Sequence, residues 1–271
     1  MNFFKRFFKT ESNNISEKAD VSVLPVCGAT DRGRVRSGNE DYFDIIPENK
    51  LFIVADGMGG HNAGEIASMK AVHYVREYFN EEHLSAMKGN PAKIEQEMIR
   101  CVEETHLHVI TAAKNNPGHR GMGCTIVAAL IDGNQLHLCH VGDARAYLGD
   151  AEKIRVLTRD HSVVMSLVDS GRMSEEEARF SPMKNELYQA IGGPGKMVPE
   201  YGMHPLKKGD RILLCSDGLW DMLLDEEIYN ILMRDAPLQE VCEELIEQAN
   251  EAGGKDNITV AVVLAGRFIN S

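Results

Sequence analysis

The chain has 271 residues, 43% of them hydrophobic, enough to bury a substantial core in one large domain or two small ones. Its 41 acidic residues against 29 Lys and Arg give a formal charge of −12 spread along the chain, which argues against the clustered cations of a nucleic-acid-binding surface. The six cysteines form no CxxC pair and sit in apolar surroundings, and no apolar run approaches the roughly 20 residues of a membrane span, so a reduced, cytoplasmic protein is expected.

In chain order, "MNFFKRFFKT" comes first, with Phe3, Phe4, Phe7 and Phe8 on one helical face and Lys5, Arg6 and Lys9 on the other. This reads as a weak peripheral membrane contact through residues 1–10, at the inner membrane face; a frayed or docked tail is the alternative. The polar "ESNNISEKAD" follows as a linker, so 1–22 forms an amino-terminal tail and 23–271 one catalytic-size domain. "LFIVAD" reads as a strand. "EIASMKAVHYVREYF" and "AKIEQEMIRCVEETHLHVITAAK" carry apolar residues every three or four positions and predict two long helices. "CTIVAALIDGNQLHLCHVGD" predicts a hairpin turning at Asp132-Gly133, and "ARAYLGD" a further antiparallel strand. Strand "RILLCSD", helix "PLQEVCEELIEQANEAG" and strand "NITVAVVLA" complete a layered α+β pattern without internal repeats.

Four aspartates share one context. Asp56, Asp143 and Asp217 each follow a strand, and Asp256 precedes one. Singly, each is a common turn or cap residue. Together they are carboxylates held rigidly at sheet rims, where convergence would be costly without a cation, and a hard divalent ion such as Mg²⁺ or Mn²⁺ takes oxygen ligands of this kind. The glycines of "ADGMGGHNAGE" would let backbone approach such an ion and offer the Gly57 carbonyl. Upstream, "RGRVRSGNEDYF" places Arg36, a fork of donors suited to a phosphoryl group, close to Glu40 and Asp41.

With "VRSGNED", "ADGMGGHNAGE", "GMGCT", "HVGDAR", "LLCSDGLWD" and "GGKDNITV" in this order, the sequence resembles the metal-dependent protein phosphatase 2C (PPM) family of serine/threonine phosphatases, bacterial type, over residues 23–266. The resemblance implies a four-layer α-β-β-α sandwich with two central, mainly antiparallel sheets and a dimetal site at one edge. It implies two Mn²⁺ or Mg²⁺ ions bridged by Asp56, with Asp217 and Asp256 as ligands of one, the Gly57 carbonyl and Glu40 on the other, and Asp41 in support. Asp143 and Asp217 match the residues that hold a weaker third ion in some bacterial relatives. A serine that assists there is replaced by Asn185 in this chain.

Where some relatives carry a histidine as general acid, Met58 stands here, and His61 three residues later does not inherit the role; a metal-bound water is the expected proton donor. Residues 161–202 match a flap beside the active site. The implied reaction is hydrolysis of phosphoserine and phosphothreonine by a metal-activated water, with Arg36 holding the phosphoryl oxygens. The expected partners are phosphorylated proteins, a serine/threonine kinase among them, acted on by a monomer. Cys215 lacks the anion cradle of a thiol nucleophile and reads as core. A binding module without catalysis and a hydrolase of small phosphoesters are the competing readings; the first has no chemical need for Arg36, Asp56, Asp217 and Asp256 together.

Overall fold

Alternation along the strands sets the layering. The computed structural model describes residues 25–59 and 63–269. Strand β3 (Leu51–Ala55) is buried along its whole length. Its Leu51, Ile53 and Ala55 enter one apolar cluster while Phe52 and Val54 enter another, so its two faces serve two cores. The same period-two division runs through β11 (Arg211–Cys215) and β12 (Ile258–Leu264): Ile212, Leu214, Ala261 and Val263 face the middle, Leu213, Cys215, Val260 and Val262 the outside. Strands covered on both faces read as continuous apolar runs, which is why these three were legible from composition alone.

Two five-stranded sheets result. The first has the order β1 (Val26–Asp31), β12, β11, β8 (Arg145–Gly149), β9 (Ile154–Val156). The second has β10 (Glu200–Pro205), β7 (Gln135–Val141), β6 (Ile126–Asp132), β3, β2 (Tyr42–Ile46). Every pairing in both is antiparallel. A short ribbon, β4 (Gly57–Met58) with β5 (Gly123–Cys124), rises beside the second sheet.

Helices close the sandwich. On the second sheet lie α1 (Ala63–Tyr78) and α3 (Pro91–Asn115), linked by α2 (Glu81–Met87). Val72, Val75, Met98, Cys101 and Val102 of this layer pack with Ile53 and Ala128. The first sheet carries α6 (Asp217–Trp220), α7 (Asp225–Leu232) and α8 (Leu238–Glu251), which bury Leu219, Ile228, Val241 and Leu245. Each fully buried side chain of this size contributes about 1.5–3 kcal/mol of transfer free energy. The order of layers, helix, sheet, sheet, helix, is the expected four-layer sandwich.

Within the described residues, the elements expected from periodicity form. The hairpin turn centres one residue later than expected, on Gly133 and Asn134 between β6 and β7, with Gly133 at φ 57°. The segment 161–202 contains α4 (Val163–Asp169) and α5 (Glu175–Phe180), then irregular chain, and its last three residues already belong to β10. All six cysteines are buried and free, as core residues should be. The amino-terminal amphipathic segment and His61 lie outside the described residues.

Candidate active site

The rim of carboxylates comes from chain topology. Asp56 follows β3 in one sheet; Asp217 follows β11 and Asp256 precedes β12 in the other. Because β11 and β12 are antiparallel neighbours, the end of one and the start of the other share an edge. Asp143 lies in the three-residue passage from β7 to β8, where the chain crosses between sheets. Close approach is enforced at Gly57, where a Cβ would fall 2.3 Å from the Gly64 carbonyl oxygen and 2.4 Å from that of Glu40.

The structure brings Asp41, Asp56, Asp143, Asp217 and Asp256 into one mutually repelling group, with Glu40 and Arg36 at its border. Burial, then Asp41, Asp217 and Asp143, hold the Asp56 carboxyl well above the usual carboxylate range. Burial followed by Asp217 and Asp160 does the same to Asp143. Asp217 is pushed up to about 6 by burial and by Asp256. Asp41 is pushed up to about 7 by burial, against the hydrogen bonds from Thr259 and Ser216 that favour its charged form. Glu40 is also raised, chiefly by burial.

Asp56 and Asp217 lie within hydrogen-bonding reach of each other, an arrangement two carboxylates sustain only by sharing a proton or a cation. Asp217 Oδ1 and Asp41 Oδ1 are buried with no hydrogen-bond partner among the described residues. An all-oxygen donor set with orphaned, buried lone pairs and excess negative charge fits a hard divalent ion such as Mg²⁺ or Mn²⁺.

Arg36 takes a different partner from the neighbouring acids its sequence position suggested. Its Nη2 donates to Asp256 Oδ2 at 2.6 Å, while the side chain stays half exposed. Burial works against its charge, but Asp256, Asp217 and Asp56 outweigh that and raise its pKa. Asp41 is held from below: Ser216 Oγ and Thr259 Oγ1 each donate to its Oδ2 at 2.7 Å. The Glu40 backbone also ties the site together, its carbonyl accepting from Gly57 N at 3.1 Å and from Ser68 Oγ at 2.6 Å.

A model of the family described as protein phosphatase 2C matches residues 31–261. The chain belongs to the protein phosphatase 2C family. Among its relatives is the serine/threonine phosphatase stp of Listeria innocua, 39% identical over 238 residues, covering 86% of this chain and 93% of that protein. The serine/threonine phosphatase of S. agalactiae is a structural match at TM-score 0.81, 37% identical, covering 88% of this chain and 98% of the other. The catalytic domain of the serine/threonine protein phosphatase PstP in complex with two manganese ions matches at TM-score 0.77, 35% identical, covering 89% and 97%. The matched residues 31–261 include every carboxylate named above.

Several residues of this phosphatase 2C chain escaped the sequence reading. Asn257 stands next to Asp256, and its amide joins three backbone groups of the 32–40 loop. Trp220 donates through Nε1 to the Asp143 carbonyl at 3.1 Å and lies under the Arg145 guanidinium, 3.8 Å from the ring centroid. Arg145 in turn grips Asp160 with two bonds of 2.9 and 2.7 Å. The signal for both was present in "KDNITV" and "DGLWD", yet only contacts far apart in sequence reveal it.

A second polar group lies near Asp143: His140, His161 and Glu200 place one ligand-type atom each within 4.8 Å of the others. It is a clamp in its hydrogen bonding. His161 Nδ1 accepts the Gly142 N–H at 3.1 Å, so in the neutral ring the proton sits on Nε2, the atom 3.5 Å from Glu200. A cation at Nε2 would have to displace that proton. Burial and the stacked His140 hold His161 down at about 4, neutral under ordinary conditions. His161 N also donates to the Gly142 carbonyl at 2.9 Å, fixing the residue before Asp143.

Proposed function

We propose that the chain hydrolyses phosphoserine and phosphothreonine esters in proteins, reversing the action of a serine/threonine kinase, with two Mn²⁺ or Mg²⁺ ions per site. The observation that carries this reading is the convergence of Asp56, Asp217 and Asp256 from two different sheets beside the Arg36 guanidinium. The serine/threonine phosphatases among its relatives, one with two manganese ions, support it.

Asp56 would bridge the two ions, with Asp217 and Asp256 on one and Glu40 and the Gly57 carbonyl on the other; Asp143 with Asp217 would offer a weaker third position. Bound there, such ions supply Lewis acidity and a water of lowered pKa as nucleophile. The remaining work falls to side chains. Arg36, half exposed and bonded to Asp256 by one nitrogen, has donors left to orient phosphoryl oxygens for in-line attack and to offset their charge in the transition state. Asp41, anchored by Ser216 and Thr259, would lie beneath the ligands and fixes the start of β2 against β12. Cys215 is fully buried in the core with its thiol pKa raised by desolvation, so a cysteine nucleophile has no place in the reaction.

Release of inorganic phosphate from phosphoserine and phosphothreonine peptides, with and without Mn²⁺, tests the reading. Metal-dependent turnover on these peptides at rates above those on p-nitrophenyl phosphate is the expected result. Turnover of p-nitrophenyl phosphate alone would make the enzyme a small-phosphoester hydrolase.

A further inference from the structure

Beside the β4–β5 ribbon lies a pocket of about 320 Å³, walled by Ile110, Pro117 and Met122, with Lys114 and Arg120 among its lining. Among the described residues, no acidic side chain lines it. Neither Lys114 nor Arg120 forms an ion pair with a described residue, whereas Arg36, Arg145 and Arg159 are all paired. The hollow is therefore locally positive and partly apolar on a protein of charge −12.

The pocket is built. Its floor at Gly192 has φ 78°, and a Cβ there would fall 2.8 Å from the Met122 carbonyl oxygen and 2.7 Å from Val109 Cγ1. Gly192 N donates to the buried His106 Nδ1 at 3.1 Å. The preceding residue, Ile191, exchanges backbone bonds of 3.0 and 2.9 Å with Cys124. Its position relative to the chemistry follows from the ribbon. Met122 adjoins Gly123, which pairs with Met58, and Cys124 pairs with Gly57, the residue after Asp56. The pocket thus adjoins the ribbon strand whose partner strand continues directly from Asp56.

We propose that this pocket receives the segment flanking the phosphorylated residue of an acidic protein substrate, an apolar side chain lying against Ile110, Pro117 and Met122 and a carboxylate meeting Lys114 and Arg120. The assignment rests on the protein-phosphatase reading and gives it a sequence preference. Charge complementarity selects this occupant, because a basic segment would meet two unpaired cations. Exposed charges of this kind act chiefly on encounter and on ground-state binding, so the effect belongs in KM.

The test uses two phosphopeptides that differ only in carrying Glu or Gln two and three residues from the phosphoserine, assayed with the Mn²⁺-loaded full chain. In the double variant Lys114→Glu/Arg120→Glu, KM for the acidic peptide should rise about tenfold, with kcat unchanged. The Gln-flanked peptide should change less than about twofold, and p-nitrophenyl phosphate turnover should stay at the wild-type value. The charge-neutral Lys114→Gln/Arg120→Gln pair should give an intermediate rise that shrinks with added salt. Equal shifts for both peptides, or none for either, overturn the subsite. Wild-type protein that turns over p-nitrophenyl phosphate and neither peptide overturns the protein-phosphatase reading instead.

Discussion

Asn257 Oδ1 accepts the backbone N–H of Glu40 at 2.8 Å, across 217 positions of sequence. Its Nδ2 donates to the carbonyls of Arg32 and Gly38, each at 2.9 Å, so one buried amide fixes the loop that presents Arg36 to the strand that presents Asp256. Removing it leaves one donor and two acceptors of that loop unpaired. Asn257→Ala should lower the unfolding free energy by about 2–3 kcal/mol and reduce phosphopeptide turnover more than tenfold. Urea unfolding alongside phosphate release checks both; unchanged turnover in a folded variant would separate loop geometry from activity.

Asp217→Asn separates function from stability. It removes a ligand-type charge from a group held up by burial and by repulsion from Asp256, so Mn²⁺-dependent turnover should fall by more than about 100-fold while the metal-free protein becomes more heat-stable. Asp256→Asn should cost activity similarly, and it also frees Arg36 from its 2.6 Å partner. Thermal melts with and without Mn²⁺ measure the two effects independently. A variant that melts lower than the wild type in the absence of metal would contradict the repulsion argument.

The pH dependence of the metal-free protein follows with a definite sign. Asp217 at about 6 and Asp41 at about 7 bind protons more tightly folded than unfolded, where a carboxyl titrates near the ordinary value of 3.8. Their stabilising contribution is complete below about pH 4 and is lost as pH rises through 6 and 7. The metal-free melting temperature should therefore fall between pH 5 and pH 7.5, by about 5 °C. Because protons and cations compete for the same oxygens, Mn²⁺ should raise the melting temperature more at pH 7.5 than at pH 5.

Arg36→Ala should raise KM for phosphopeptides about five- to tenfold. The bond to Asp256 adds a second expectation: Mn²⁺ affinity should not fall, since the substitution releases a carboxylate. Calorimetric titration with Mn²⁺ decides this; a marked loss of affinity would assign Arg36 to the architecture of the site.

Deletion of residues 1–20 should leave soluble phosphatase activity intact, because every group in the cluster lies at or beyond Arg36. Co-sedimentation of full-length and shortened chains with anionic vesicles at low salt tests the amphipathic segment. Equal binding would remove the membrane contact.

The acids were legible in sequence because β3, β11 and β12 are buried on both faces and read as apolar runs, with an Asp just after the first two and just before the third. What surrounds the acids was less so. Strand β10 mixes half-exposed and exposed residues, with Gly202 and Pro205 inside it, so its pairing to β7 leaves little trace in composition. Strand β9 is three residues long and largely exposed. Ser216 and Thr259 look like ordinary strand-end hydroxyls until the fold sets Asp41 above them, 175 and 218 positions away. Arg36 stands out in sequence as a cation near acids, yet its partner came from the far end of the chain, where no local pattern points.

The central apolar layer of Phe52, Val54, Leu138, Leu214 and Ala261 has a role beyond stability. Asp56 rides on one sheet and Asp217 and Asp256 on the other, so the spacing of the carboxylates is a reading of how the sheets are stacked. A volume change deep between the sheets, such as Leu214→Ala, would be transmitted to the rim as a slip of one ligand set past the other. Any ion gripped from both sides would act as a rivet through the sandwich. Chelation should then accelerate amide exchange in β3 and β11 together, far from any surface the chelator touches.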